Sequence, residues 1–587
     1  MTLRCLAMLT LAQSVLSACA TFDYIIVGGG PAGLLVANRL SANSNTTVAI
    51  IEAGGSVHNN PDVTTLPKTI AEFSPGLGSS IDWRYTSAPQ KYTLSRAIPF
   101  AAGKALGGST TIFGMTYLRA EKVQIDAWEE LGNDGWNWDK MFQTPSEEQQ
   151  KNGATYEEQF HGFKGEVDIG FTPYLTGQGA FDLLSETTKA LGYPVNEDAN
   201  NGTLRGTTTW PSLLKVDEKI REDAARSFYW PIVDARPNLH MFLNTEATRI
   251  VWSKGAAFGT QATAVGVEVR TLNDTIEKLY ATREVIVAAG SLRSPALLEH
   301  SGLGNSAKLQ ALGIETVVSH PTVGSNFMDQ PANGLTYSSS TNWTGYGTFV
   351  TYLTASDLFG SDLEEVTAEV RANLSTYAAT IVADYAPGVT TLEKQEQLLK
   401  HQIDLIFSPN STVPLAELLW IPYETAIVAQ FWNLLPLSRG SVHIASSDPT
   451  TAPSINPNFF QLSVDMYVQA AAAIRIRDFF ATAPLSQHVT GEVSPSFDVV
   501  PKNASWQDPA WRKWIEETYN SNSHPVSTCA MMSKELGGVV DIEGKVYGTA
   551  NVRVVDASIF PTQISGHLTA SIYAIAGRIV DGMMSER

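Results

Sequence analysis

The sequence predicts an α/β protein built on a Rossmann-like, dinucleotide-binding domain, and three observations predict it. An apolar, β-prone run, Tyr24-Ile25-Ile26-Val27, stops at Gly28-Gly29-Gly30-Pro31-Ala32-Gly33, after which Leu34, Leu35, Val36, Ala37 and Leu40 recur at helical spacing. A second apolar run, Thr47-Val48-Ala49-Ile50-Ile51, ends in the acid Glu52, 19 residues beyond Gly33. At 587 residues the chain is too long for one core, so a second domain must accompany the first.

Each element of that unit has a physical task. Gly28 makes the turn, Gly30 admits a pyrophosphate to the backbone, and Gly33 lets the helix lie close to the strand. The N–H groups and positive end of the helix then face the anion. Glu52 is placed to meet the ribose hydroxyls of a bound adenosine.

Composition narrows the function. The chain is 43% apolar and 17% charged, as globular proteins are, and its net charge of −19 argues against nucleic acid as a partner. Residues 1–20 read as a cleavable secretory signal peptide: Arg4, the mostly apolar Cys5 to Leu16, then Ala18-Cys19-Ala20 as an A-x-A site. No later apolar run reaches the length of a membrane span, so none is expected. Cleavage would leave Cys529 as the one cysteine and no internal disulfide. There is no paired-cysteine spacing and no H-E-x-x-H, so no metal site is expected. Sequons at Asn45, Asn201, Asn273, Asn342, Asn373, Asn410 and Asn503 are compatible with glycosylation in the secretory pathway.

Beyond Glu52 the next informative stretch is Ala102 to Met115, dense in glycine and other small residues, which reads as a second cofactor contact. Residues 120–215 read as helices and loops without catalytic spacing. Arg221-Glu222-Asp223-Ala224-Ala225-Arg226 reads as a helix, and Met241 to Leu243, Thr248 to Trp252, Ala264 to Val269 and Glu284 to Ala289 read as strands. No internal repeat and no low-complexity linker is found.

Four blocks resemble the glucose-methanol-choline (GMC) oxidoreductase family, most nearly its fungal glucose oxidase and FAD-glucose dehydrogenase branch. They are the N-terminal glycine fingerprint; Gly103 to Thr110; Gly290-Ser291-Leu292-Arg293-Ser294-Pro295 through Ser301-Gly302-Leu303-Gly304; and the region from Asn522 to Ala574. The resemblance implies an FAD-binding domain of residues 22–85, 100–120, 215–322 and 537–587. A substrate-binding domain and cap of residues 86–99, 121–214 and 323–536 would be interleaved with it. The chain would cross near Val323-Gly324 to Asp329-Gln330 and return near Gly537. The resemblance also implies that FAD is held by Gly28, Gly30, Gly33, Glu52, Gly107 and Ser109, by the backbone of Ala247, by Asp556 near the ribityl-pyrophosphate end, and by Leu568 N–H at the flavin ring.

Alcohol oxidation needs a base for the hydroxyl proton and a sink for the hydride. The family's paired histidines correspond to His524 and His567, and its glutamate that orients the second histidine corresponds to Glu417. His567 opens a helix whose apolar residues Leu568, Ile572, Ile575, Ile579 and Met583 share a face. A positive helix end disfavours an imidazolium there, so His524 is assigned as proton acceptor and His567 as the residue positioning the hydroxyl. Asn522 and Trp432, the latter in a segment like one beside the family's active site, are assigned to substrate.

Two departures bear on specificity. Sugar-oxidising relatives carry arginine four residues before the first histidine, where this chain has Asn520, so glucose loses a recognition group. Phe113 stands where the family places Asn or His beside the flavin, which rules out a histidyl linkage there and implies non-covalent FAD. Trp420, Ile421, Pro422 and Tyr423 point to a flat, apolar substrate. The expected reaction is therefore oxidation of a small organic alcohol, an aromatic or heterocyclic intermediate of secondary metabolism, with the proton passing to His524 and hydride to flavin N5. Its alternatives are a glucose-type sugar dehydrogenase or oxidase, and a non-redox cyclase or lyase on the same fold. The acceptor would be oxygen or a quinone, and the protein a secreted monomer or homodimer.

Overall fold

The structure is a computed structural model that describes residues 20–68, 72–142, 148–150, 158–254 and 261–585. Cys5, Cys19 and the expected signal peptide, apart from Ala20, lie outside the described residues.

The first strand, Thr21–Val27, lies between Val48–Ile51 and Ile276–Val287 and runs parallel to both. Leu239–Phe242 adds parallel to Val48–Ile51 on the other side, and Val552–Val554 pairs parallel with the end of Ile276–Val287. Antiparallel strands Ala264–Arg270 and Glu246–Trp252 complete a seven-stranded sheet. Its parallel part reads as unbroken apolar runs because both faces are covered, and Ile25, Ile26 and Val48 to Ile51 are almost wholly buried. Helices Pro31–Ser41 and Leu568–Ser585 pack on each other and share this core.

A second, all-antiparallel sheet is ordered 489–494, 331–343, 414–433, 349–354 and 206–209, with Asn520–Ser521 paired to the start of Pro331–Trp343. Helix Ser463–Ala481 packs on Pro414–Asn433 over a separate apolar core. The segment Pro414–Asn433 reverses at Glu424, whose φ is 48°. Its first half pairs with Phe349–Thr354 and its second with Pro331–Trp343, and Leu434 N–H returns to the Leu415 carbonyl at 2.9 Å.

Two local expectations change. Arg221 to Arg226 is not one helix: Arg221 ends a short strand, and Asp223 caps helix Ala224–Phe228 by accepting from the N–H groups of Ala225 and Arg226. Asp favours that cap because its carboxylate satisfies N–H groups that have no partner within the helix. Residues 120–215 also contain strands, Val167–Gly170, Gly206–Thr209 and Ser212–Lys215. Gly206–Thr209 escapes apolar periodicity because Thr207 is held through its hydroxyl, 2.7 Å from that of Thr188 and 2.6 Å from that of Thr351. Among the described residues no helix is long and apolar enough to cross a membrane.

Candidate active site

The glycine turn joins Thr21–Val27 to Pro31–Ser41. Gly28 has φ 111°, and a Cβ on Gly33 would lie 2.1 Å from the Gly28 carbonyl oxygen, so helix and strand meet backbone to backbone. No side chain caps the helix at Gly30, although Pro31 suits its first position. The second glycine segment closes over this turn: Gly107 N–H donates to the Gly29 carbonyl at 2.8 Å, and a Cβ on Gly108 would meet Gly30 Cα at 2.7 Å. Ser109 Oγ accepts from Gly103 N–H. Glu52, buried at the end of its strand, accepts from Gly29 N–H at 2.8 Å and Gly54 N–H at 2.7 Å, and burial pushes its carboxyl up to about 7.

Asp556 ties the C-terminal segment to this sheet. One carboxylate oxygen accepts from Gly290 N–H at 2.9 Å and Ser294 Oγ at 2.6 Å, and the other from Ser558 N–H at 2.8 Å. Burial raises its pKa against those hydrogen bonds. Ala247 lies in strand Glu246–Trp252, and Leu568 is the first residue of the C-terminal helix.

The two histidines meet where the sheets adjoin. The His524 and His567 rings are 4.9 Å apart between centroids and nearly perpendicular, at 83°. His524 follows Asn520–Ser521 of the second sheet, whereas His567 stands just before the C-terminal helix of the first. Its Nε2 is 3.1 Å from Glu417 Oε1, and that carboxylate is buried. Trp210 and Trp432 flank the His567 ring at 6.3 and 6.2 Å. Glu417 and Trp432 are 15 residues apart, and the reversal at Glu424 returns both to this one ring.

His524 is held on several sides. Its N–H donates to Asp329 Oδ1 at 2.8 Å, its carbonyl accepts from Gln563 Nε2 at 2.8 Å, and its Nδ1 is 2.7 Å from Gln330 Oε1. Asn522 Nδ2 is 3.0 Å from the same Gln330 oxygen and 3.1 Å from His524 Nδ1. Burial, and then the neighbouring His567, hold His524 well below the usual histidine pKa. An imidazole there is held neutral at ordinary pH.

Not every residue singled out in the sequence joins this group. Asn520 is exposed at the strand end, its amide 3.5 Å from the Thr518 carbonyl. Trp420 and Ile421 are core residues: Trp420 donates to Thr351 Oγ1 at 2.9 Å and packs on Phe479 and Phe480. Tyr423 lies beside the reversal, about 20 Å along the strand from Glu417 by strand rise. That stretch therefore says nothing of the substrate. Phe113 is half-buried under the Arg221 guanidinium, 5.5 Å from its ring centroid, and its carbonyl accepts from Arg221 Nη1.

Residues 22–332 and 436–576 match the two family models described as GMC oxidoreductase. A glucose oxidase-like protein of Humicola fuscoatra is 41% identical, with 97% of each chain covered. The chain belongs to the GMC oxidoreductase family. Glucose oxidase of Aspergillus carbonarius is 34% identical over 96% of this chain and 93% of its own. An FAD-dependent oxidoreductase from Chaetomium thermophilum superposes with a TM-score of 0.86 at 26% identity, covering 96% of this chain and 99% of that one. A fungal aryl-alcohol oxidase, at TM-score 0.85 and 24% identity, shares the fold over 96% of this chain and 99% of its own.

As a GMC oxidoreductase, the protein is an FAD-dependent enzyme acting on CH–OH donors. The residues present fit that cofactor. The uncapped helix start offers N–H groups to a pyrophosphate, and a Cβ on Gly30 would meet only Gly108 Cα, at 3.8 Å, within 4 Å. The carboxylate of Glu52 is pinned by two backbone N–H groups beside that turn.

Gln330, Asp329, Gln563 and Trp210 are site residues that no catalytic motif in the sequence marks. In the sequence Asp329-Gln330 marks only the expected chain crossing. Its signal was a polar pair between Phe327-Met328 and Pro331, and both residues are buried. A buried polar residue is the informative exception in a core. Trp210 and Gln563 carry no local pattern, since long-range folding alone brings them to the histidines.

Proposed function

We propose that this enzyme oxidises a small aromatic or heterocyclic alcohol with non-covalently held FAD, His524 taking the hydroxyl proton and His567 positioning the hydroxyl. The perpendicular histidine pair carries the reading. His524, kept neutral by its surroundings, is the acceptor; Glu417 holds His567, so its ring orientation is maintained while the hydroxyl is bound. FAD, when bound, supplies the electron sink for the hydride leaving the carbinol carbon. Proton and hydride together leave a carbonyl product.

Trp210 and Trp432 about His567 support a flat substrate, and Asn520 in place of an arginine supports the loss of a sugar contact. Phe113 supports non-covalent FAD, because a phenyl ring has no nucleophile for a flavin bond. Relatives named as oxidases support oxygen as acceptor, and the A-x-A sequence at residues 18–20 supports entry to the secretory pathway. A second reading, sugar oxidation, is favoured by the glucose oxidase-like relatives that match along almost the whole chain.

The test is anaerobic flavin absorbance of the purified holoenzyme mixed with D-glucose, 4-methoxybenzyl alcohol or furfuryl alcohol. Bleaching by an aryl or furan alcohol with little response to glucose supports the leading reading. Bleaching by glucose alone overturns it in favour of the sugar. Admitting air afterwards reports whether oxygen restores the absorbance.

A further inference from the structure

We propose that Gln330 is the positioning residue that sets the tautomer of His524, keeping the ring proton on Nδ1 so that Nε2 is the nitrogen open to a hydroxyl proton. The proposal rests on His524 being the base and adds which ring atom acts and what selects it.

Gln330 is fully buried, and both ends of its amide are committed. Its Nε2 donates to the Leu434 carbonyl at 2.9 Å and the Ile564 carbonyl at 3.4 Å. Those two oxygens fix the orientation of the amide: turning it over would set Oε1 against two carbonyls and its NH2 against the NH2 of Asn522. Oε1 therefore faces His524 Nδ1, and at 2.7 Å an acceptor can oppose only a protonated nitrogen. Asn522 Nδ2 donates to the same oxygen at 3.0 Å. Its 3.1 Å approach to His524 Nδ1 is then two donors gathered about one acceptor.

The remaining contacts hold the ring without choosing its tautomer. Asp329 and Gln563 grip the His524 backbone, and His567 faces the ring edge to face. Gln330 alone among these partners touches a ring nitrogen with an acceptor whose orientation is determined elsewhere. It receives no substrate proton itself. It joins the first sheet's C-terminal segment, at Ile564, to the segment after the hairpin, at Leu434, so that the base is registered to both.

The experiment is nitrogen-15 NMR of the FAD-loaded protein labelled at histidine, with His524 identified as the signals lost in His524→Asn. At neutral pH the wild type is expected to show a neutral ring with its proton on Nδ1. Gln330→Leu, which keeps flavin absorbance, should lose that signature and shift toward the Nε2–H form that exposed neutral histidines favour. Gln330→Glu should keep the proton on Nδ1 and raise the pH at which the ring takes a second one, against a background of His567, Asp329 and Glu417. Asn522→Ala should leave the tautomer unchanged. A wild-type proton on Nε2 overturns the proposal, and so does an unchanged Gln330→Leu spectrum. If neither Gln330 variant folds, the wild-type spectrum still decides. Failure of the base reading is recognised separately: His524→Asn would then bleach as fast as wild type with the best alcohol of the panel, whatever the tautomer.

Discussion

Asp329, Gln330 and Gln563 fix His524 at its N–H, its ring and its carbonyl, while burial keeps it uncharged. The sign of its pH dependence follows. The proposed base acts when unprotonated, and His524 is depressed below the ordinary value of about 6.5, so flavin bleaching should stay level as pH falls through 6.5 and decline only below it. An acid limb at or above that pH in stopped-flow traces would contradict the assignment. Replacing the proposed base, His524→Asn, should slow bleaching by roughly 10²–10⁴-fold at unchanged FAD content. The two histidines were legible in the sequence only as a matched pair with familiar neighbours, since a single histidine has no periodicity to betray it. Gln330 shows in the sequence only as half of a polar pair in an apolar stretch, and what it holds is not legible there, because its partners, Leu434, Ile564 and Asn522, lie 104 to 234 residues away.

At the level of single elements, the glycine turn was readable because its chemistry is local. Gly33→Ala would drive a methyl group into the Gly28 carbonyl, and overpacking of this kind costs about 1–3 kcal/mol. FAD affinity, followed by flavin fluorescence on dilution, should fall with it; a protein as stable and as tightly loaded as wild type would show that helix and strand have room to part. The hairpin within Pro414–Asn433 was not readable. Pro422 to Thr425 carries no glycine or asparagine to mark the reversal, and Glu424 adopts its φ of 48° without them. Missing that turn is what made Trp420 and Tyr423 look adjacent to the substrate. Asn520 remains a position where sequence departs from pattern, and Asn520→Arg should raise the rate of bleaching by glucose relative to an aryl alcohol by about tenfold if it reaches bound substrate. An unchanged ratio would remove it from the specificity question.

Across the whole molecule, buried polar side chains tie segments distant in sequence together, as packing does. Asp556 binds the segment that leads to His567 to the turn at Gly290. Asp556→Ala leaves the N–H groups of Gly290 and Ser558 and the hydroxyl of Ser294 without that acceptor, and should lower stability by about 1–3 kcal/mol, read as an earlier urea midpoint with loss of flavin in the same transition. Flavin release well ahead of unfolding would mean that the segment is held by other contacts. Length and composition indicated two domains, but composition does not describe how they are joined, because the residues at the junction are drawn from segments hundreds of positions apart. The layout of the first sheet also sets a timetable. Thr21–Val27, first of its strands to leave the ribosome, sits between partners from residues 48–51 and 276–287, and a further strand arrives only with residues 552–554. During synthesis, then, Thr21–Val27 must stay out of wrong pairings until about half the chain has emerged, and the end of Ile276–Val287 waits for nearly all the rest.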